Sequence, residues 1–305
     1  MKKLVFIVNP FSGTKSKSNF SNILDQNIDK NKFSYTIKFT EYTGHANEIV
    51  NDHLKDPDIY GFIAVGGDGT VNEVASHIIG SDKVLGVLPQ GSGNGFGCSL
   101  GMSRDITKSI KLLNETEEVV IDTGQCNGIS FVNVCGIGFD AQVVYTTKSD
   151  PSRGFFKYLK TSLRLSFGYK PIHAEIKTDE QSVKGAFAAI VIANGTTYGY
   201  DFKISPLSEY DDGKLDIILI KDVPLYRYFY HIPKYFREGV KDLDFVTHIK
   251  TSSLEVITES SETFYHLDGE GMKNGNQYKF WLNPASIKLL VPKSKTIQLR
   301  NSLNT

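Results

Sequence analysis

YGFIAVGGDGTVNEVASHIIGSDKVLGVLPQGSGNGF, residues 60–96, decides the fold. Two apolar runs, 60–65 and 83–88, each end in a glycine-rich loop, and a stretch of helical spacing, 71–79, lies between them. Strands that are apolar at consecutive positions suit burial on both faces, the condition of parallel strands covered by helices. Working outward, residues 4–8 form another such run, closed by the turn NPFSG at 9–13. Phe20, Ile23, Leu24 and Ile28 recur at helical spacing, a strand is predicted at 34–39 and a helix at about 44–54. A helix near 104–113 and a strand at 119–122 complete a βαβ series, which predicts a three-layer α/β domain over 1–122.

In such a sheet the ligand crevice lies beyond the carboxyl ends of the strands, and the three glycine-rich loops all fall there. Glycines let backbone N–H groups approach phosphate oxygens, helped by the positive end of the following helix. Asp68, in GGDGT, is placed to hold a divalent cation beside those phosphates, or else to serve as an N-terminal helix carboxylate. No GxGxxG fingerprint and no GxxxxGK[ST] loop is present, so neither the Rossmann nor the Walker mechanism is indicated. Lys15 and Lys17, just past the first loop, are phosphate ligands or surface lysines.

From about residue 122 the pattern turns to strands, predicting a mostly antiparallel, β-rich second domain over 123–291. A hairpin is expected to turn at Asn127-Gly128, with strands at 172–178, 186–193, 215–220, 253–258, 263–267, 278–282 and 286–291. Helices are expected at 154–167 and, around Pro233, at 225–237; the tail 292–305 frays or returns to the first domain. Thirty-four basic residues cancel 34 acidic ones, and no basic segment is long enough to track a phosphate backbone, so nucleic acid is not an expected partner. Three cysteines without metal spacing argue against a disulfide scaffold. No apolar stretch nears the roughly 18 residues of a membrane span, and a cytoplasmic setting is expected. If 267–270 begins as a strand, Asp268 and Glu270 share one face and influence each other's charge or share a cation. DGEG as a solvent turn is the alternative.

Beyond the local signals, NPFSG at 9–13, GGDGTVNEV at 66–74, LPQGSGNGF at 88–96, VNVCGIGFDA at 132–141, SPLSEYDDGKLDI at 205–217 and HLDGE at 266–270 occur in one order along the chain. With this set the chain resembles the diacylglycerol kinase catalytic family, which includes soluble bacterial lipid kinases and the sphingosine and ceramide kinases. The resemblance implies a nucleotide-binding domain like that of phosphofructokinases and NAD kinases, followed by a β-rich lipid-binding domain. It also implies transfer of the γ-phosphoryl of ATP to a lipid hydroxyl, diacylglycerol first among the acceptors.

The resemblance places Asn9, Ser12, Gly13, Gly66, Gly67, Thr70, Gly91 and Ser92 at the nucleotide. Thr43, in the compressed EYTGHA segment, joins them. Glu270 is implied as base on the acceptor hydroxyl, with Asp68, Asp122 and Asp268 completing an acidic group and Asp68 and Asp122 holding Mg²⁺. A second, structural Mg²⁺ is implied at Asp212 and the Leu215 backbone. Gly95 stands where many soluble bacterial members have Asp, closer to the sphingosine and ceramide branches, so the acceptor is left open.

A lipid acceptor requires meeting a membrane surface, here the inner one, without a transmembrane segment. A helix at 154–167 would set Phe156, Leu159, Leu163 and Phe167 on one face beside Lys157, Lys160 and Arg164; an interfacial helix and a core helix with a charged edge both fit. Tyr226, Tyr228, Phe229, Tyr230, Tyr235 and Phe236 fit the lip of an acyl-chain cleft or the core. Exposed edge strands would permit a homodimer. The alternatives are a kinase for sphingoid bases, ceramide or phosphatidylglycerol, an NAD kinase lacking that family's downstream TPTGSTAY pattern, and a non-catalytic lipid or nucleotide sensor.

Overall fold

The computed structural model describes residues 1–13, 16–148 and 154–296; Lys15 and the end of the predicted tail lie outside them. The chain divides into two compact units, Met1–Ile121 with the return from Ala285, and Asp122–Pro284.

In the first unit, β1 (Lys2–Val8), α1 (Phe20–Asn27), β2 (Phe33–Phe39), α2 (His45–Leu54), β3 (Ile59–Gly66), α3 (Asp68–Ile78) and β4 (Val84–Pro89) alternate as the apolar spacing requires. Helices α4 (Gly95–Ser99) and α5 (Ile106–Leu113) follow, and β5 (Thr116–Cys126) carries the chain out. The strands are parallel in the order β2-β1-β3-β4. Leu4, Phe6, Val8, Ile63, Val65 and Leu88 pack with Phe20 and Leu24 of α1 and Ile110 and Leu113 of α5. Burial on both faces is complete in the middle of β1 and β3, where Val5, Ile7, Phe62 and Ala64 are also fully enclosed.

The second unit contains β6 (Ile129–Phe131), β7 (Val134–Gly138), α6 (Phe139–Thr147), α7 (Phe155–Ser166), β8 (Ile172–Thr178), β9 (Ser182–Ala193) and β10 (Leu215–Lys221). Then come α8 (Leu225–Tyr230), α9 (Ile232–Arg237), β11 (Val246–Thr251), β12 (Ser253–Thr258), β13 (Phe264–Leu267), β14 (Glu270–Lys273) and β15 (Gln277–Pro292). Strands β6 to β14 pair antiparallel with their described neighbours, and β9 is the hub: residues 182–187 pair β8, while 189–193 pair both β7 and β10. Alternate residues of β9 and β10 enter different cores. Ile190, Ile192, Ile217 and Leu219 join Phe131, Tyr278 and Phe280, whereas Val191, Ala193 and Ile218 join Tyr235 and Phe245.

Three departures from the sequence reading have local causes. The predicted strands 278–282 and 286–291 are one strand, β15; it bends at Ala285 (φ 45°), and its end pairs parallel with β4 in the first unit. The helix around Pro233 is two short helices, because Pro233 starts α9 rather than continuing α8. The aromatic run divides between the two readings: Tyr235 is buried, while Tyr226 and Tyr230 are exposed.

Candidate active site

The glycine-rich loops of the first unit meet at the carboxyl edge of its sheet. Asn9 follows β1, its N–H donating to Val65 O at 3.0 Å, and Gln90 N–H donates to Gly66 O at 2.7 Å, so each loop begins as an overrun of its strand. The Asn9 side chain then bridges two loops, accepting from Phe11 N (2.9 Å) and donating to Thr70 Oγ1 (3.1 Å). Ser12 Oγ lies 3.0 Å from Asn9 O and 3.2 Å from Gln90 O, linking the first loop to the third. Gly13 holds φ +68°, and a Cβ there would stand 2.5 Å from Gln90 O.

The closest approach is between Gly67 and Gly91. A Cβ on Gly91 would lie 2.2 Å from Gly67 Cα, so these backbones touch with no room for a side chain. Asn94, in the left-handed region at φ 57°, clamps the loop by accepting from Gly91 N (2.7 Å) and donating to Gly91 O (2.8 Å). Asp68 opens α3 and its Oδ1 accepts from Phe96 N (3.2 Å). Lys17 is buried with its ammonium on Ser12 O. Gly91→Ala is therefore expected to cost about 1–3 kcal/mol by overpacking, read as a lower urea midpoint with an unchanged slope.

Thus Asn9, Ser12, Gly13, Gly66, Gly67, Thr70, Gly91 and Ser92 lie on loops that the structure brings together. Thr43 is exposed on the loop before α2, which is tied to α3 by Gly44 N–H donating to Glu73 Oε1 at 3.1 Å. Lys17 is not a surface lysine but a support of the first loop, and Asn94 is a support that the glycine spacing alone did not single out. An Asn within a glycine run, suited to the left-handed region, was the available signal for Asn94.

In the second unit, residues 267–270 are not one strand. Asp268 (φ 46°) and Gly269 (φ 87°) are the two turn residues between β13 and β14, a primed hairpin turn like that at Asn127-Gly128. Asp268 is buried, and its carboxylate accepts from three backbone amides: Val132 N (2.8 Å), Asn133 N (2.9 Å) and Val134 N (2.9 Å). It does not share a strand face with Glu270. Glu270 is exposed on β14 and pairs with Lys148 at 3.0 Å.

Asp122 is likewise an anchor: buried, with Oδ2 accepting from Gly213 N at 2.9 Å. Burial and the charges of Asp122 and Asp212 push the Asp211 carboxyl up, and burial pushes Asp216 up. The implied structural metal meets a lysine here. Lys250 Nζ sits 2.6 Å from Asp212 Oδ2 and 3.9 Å from Asp216 Oδ2, while Asp212 Oδ1 accepts from Lys214 N at 3.0 Å. Leu215 is buried in β10 opposite Thr251. Among the described residues no group of three or more His, Cys, Asp or Glu is arranged to hold a metal. In the 212–215 loop the Asp212 carboxylate is thus engaged by the Lys250 ammonium. Asp68, a partly exposed carboxylate at a helix N-terminus, has the oxygen chemistry that suits a nucleotide-bound Mg²⁺.

A family model described as the diacylglycerol kinase catalytic domain matches residues 3–126, and one described as the YegS C-terminal NAD kinase beta sandwich-like domain matches residues 133–291. The chain belongs to the diacylglycerol kinase catalytic family. Within this lipid kinase family, it is 28% identical over 309 residues to a diacylglycerol kinase of Bacillus subtilis, covering 98% of this chain and 99% of that protein. It is 29% identical over 262 residues to a probable lipid kinase, YegS-like, of Klebsiella pneumoniae, covering 84% and 86%. It spans 61% of an uncharacterized Synechocystis protein to which it is 25% identical over 279 residues. The fold is that of a diacylglycerol kinase structure from Bacillus anthracis, with TM-score 0.72, 22% identity and coverage of 96% of this chain and 98% of that one. An NAD kinase of Archaeoglobus fulgidus solved with ATP shares the fold more distantly, with TM-score 0.51, 13% identity and coverage of 100% and 99%.

Proposed function

We propose that this chain transfers the γ-phosphoryl group of ATP to the hydroxyl of a membrane lipid, with diacylglycerol, giving phosphatidic acid, as the leading acceptor. The observation that carries the reading is the contact of Gly67 with Gly91, which keeps two glycine loops bare of side chains at the carboxyl edge of a parallel sheet. Backbone of that kind, at the start of α3, is suited to the phosphates of a nucleotide. Mg²⁺ would neutralise phosphate charge there, with Asp68 as the side chain that fits it. Asp122 and Asp268, buried on backbone amides, would act as structural anchors within the second unit.

Glu270 is the proposed base. As the lipid oxygen bonds to the γ-phosphorus and the bond to the β-phosphate oxygen breaks, the hydroxyl proton passes to the Glu270 carboxylate and ADP leaves. No described helix is long and apolar enough to cross a membrane. Helix α7 exposes Phe156, with Phe167 just beyond its end, at 81% and 75%, alongside exposed Lys160 and Arg164. Such a surface suits the anionic inner face of a bilayer, where the kinase would meet its substrate.

An acceptor panel tests the choice of lipid. With labelled ATP and mixed micelles, diacylglycerol is expected to be labelled at least about tenfold faster than a sphingoid base, ceramide or phosphatidylglycerol, a difference of roughly 1.4 kcal/mol in transition-state binding. A faster rate on any of the others would move the assignment to that lipid.

A further inference from the structure

We propose that Asp140, His266 and Tyr198 form a positioning network, centred on a buried imidazole, that sets the hairpin carrying Glu270. The proposal rests on the reading of Glu270 as the base. Its geometry lies wholly within the second unit.

Asp140 stands in the first turn of α6, and its carboxylate Oδ2 takes two donors: His266 Nε2, at 3.2 Å, and the Tyr198 hydroxyl. On the other side of the imidazole, Gly269 N–H donates to His266 Nδ1 at 3.4 Å. Gly269 is the second turn residue of the hairpin, and Glu270 follows it directly. That contact fixes the tautomer: Nδ1 is the acceptor, so the proton is on Nε2 and points to Asp140. A chain of hydrogen bonds thus runs from Tyr198 through Asp140 and His266 to the peptide one residue before Glu270.

The far end of α6 holds the same hairpin. Lys148, at the C-terminal end of the helix, pairs with Glu270 itself at 3.0 Å. Gly271 lets the strand lie against that helix, because a Cβ there would be 2.7 Å from Tyr145 N. Glu270 is therefore located by both ends of one helix, through its backbone at one end and its carboxylate at the other.

The network is expensive to keep. Burial alone would raise the Asp140 carboxyl, yet the hydrogen bond from His266, with that from the Tyr198 hydroxyl, holds it below the usual range. Burial and the Asp140 charge push the Tyr198 phenol well up, so it remains a donor. Asp140 Oδ1 has no hydrogen-bond partner among the described residues. The backbone also makes room for the pair: a Cβ on Gly136 would meet Asp140 Oδ2 at 2.0 Å and His266 Nε2 at 2.6 Å. An apolar core of equal volume would stabilise the fold as well or better, so retaining a largely enclosed carboxylate argues for a positioning role.

The test compares the full chain with H266F, H266N, Y198F and E270Q, measuring kcat, KM for ATP, KM for lipid and the unfolding midpoint. H266F fills the ring's volume without either nitrogen and is expected to lower kcat about 10- to 100-fold while KM for ATP stays within about twofold. H266N keeps an acceptor for Gly269 N–H and is expected to recover about tenfold of that loss, a rescue that loss of packing would not give. Y198F is expected to lower kcat about three- to tenfold while KM for ATP stays within about twofold. Wild-type kcat in H266F beside an inactive E270Q overturns the network and leaves the base in place. Near-normal kcat in E270Q overturns the base and the network with it. Should H266F fail to fold, H266N and Y198F decide: normal kcat in both overturns the proposal.

Discussion

Glu270→Gln is expected to lower kcat by about 100- to 10,000-fold, the range a positioned general base contributes. The amide keeps the shape of the side chain and its place on β14 but cannot take the hydroxyl proton. Glu270 is exposed and its side-chain partner among the described residues is Lys148, itself 47% exposed in its side chain, so the lost ion pair costs little and stability should change by less than about 0.5 kcal/mol. The glycine loops are untouched by the substitution, and KM for ATP should hold. Loss of kcat with the unfolding midpoint and ATP affinity both preserved is the pattern that separates a base from a structural carboxylate. Turnover within about twofold of wild type would remove Glu270 from the chemistry.

Two residues earlier, the same hairpin predicts the opposite outcome. Asp268→Ala should destabilise the chain by about 3–5 kcal/mol, because it strips the acceptor from the amides of Val132, Asn133 and Val134 in a buried site, and each orphaned donor costs about 1–3 kcal/mol. The sum falls short of the full total because the loosened loop can take in water. The left-handed turn adds to the loss, since Asp tolerates φ 46° better than Ala does. Asp268→Asn keeps one oxygen as acceptor and should cost about half as much. Urea unfolding of both variants checks this. A midpoint unchanged in Asp268→Ala would mean that the three amides are satisfied without the carboxylate.

This contrast shows where the sequence was legible and where it was not. The first unit could be read because its strands are runs of consecutive apolar residues and its loops are punctuated by glycine, both local signals. The Asn127-Gly128 turn was readable for the same reason. LDGE was read with a period of two, which put Asp268 and Glu270 on one face; yet Asp-Gly is itself a favoured primed-turn pair, flanked by YHL and EGM, and the turn reading puts one carboxylate inside and one outside. The signal was present, and the wrong period was applied to it.

Other features had no local signal at all. Asp122 is buried on the amide of Gly213, and Lys250 reaches Asp212 and Asp216 from a neighbouring strand, so both roles exist only once distant segments are paired. An acidic cluster such as DDGKLD reads as a cation site because its counter-charge lies far away in sequence. His266 is buried, and only the fold reveals that its partner is Asp140 and that its second nitrogen faces the hairpin turn. Strand β15 was divided in two because Asn283-Pro284 reads as a break, whereas the chain runs through it.

The central claim is that the bare glycine loops serve phosphoryl transfer to a lipid rather than to a soluble nucleotide. It is tested most directly by offering γ-labelled ATP and Mg²⁺ to the full chain with diacylglycerol micelles and NAD in the same tube, and separating the products. The account predicts label in a chloroform-soluble phosphatidic acid and none in NADP. Label in NADP, or ATP bound tightly with no labelled acceptor of either kind, would contradict it.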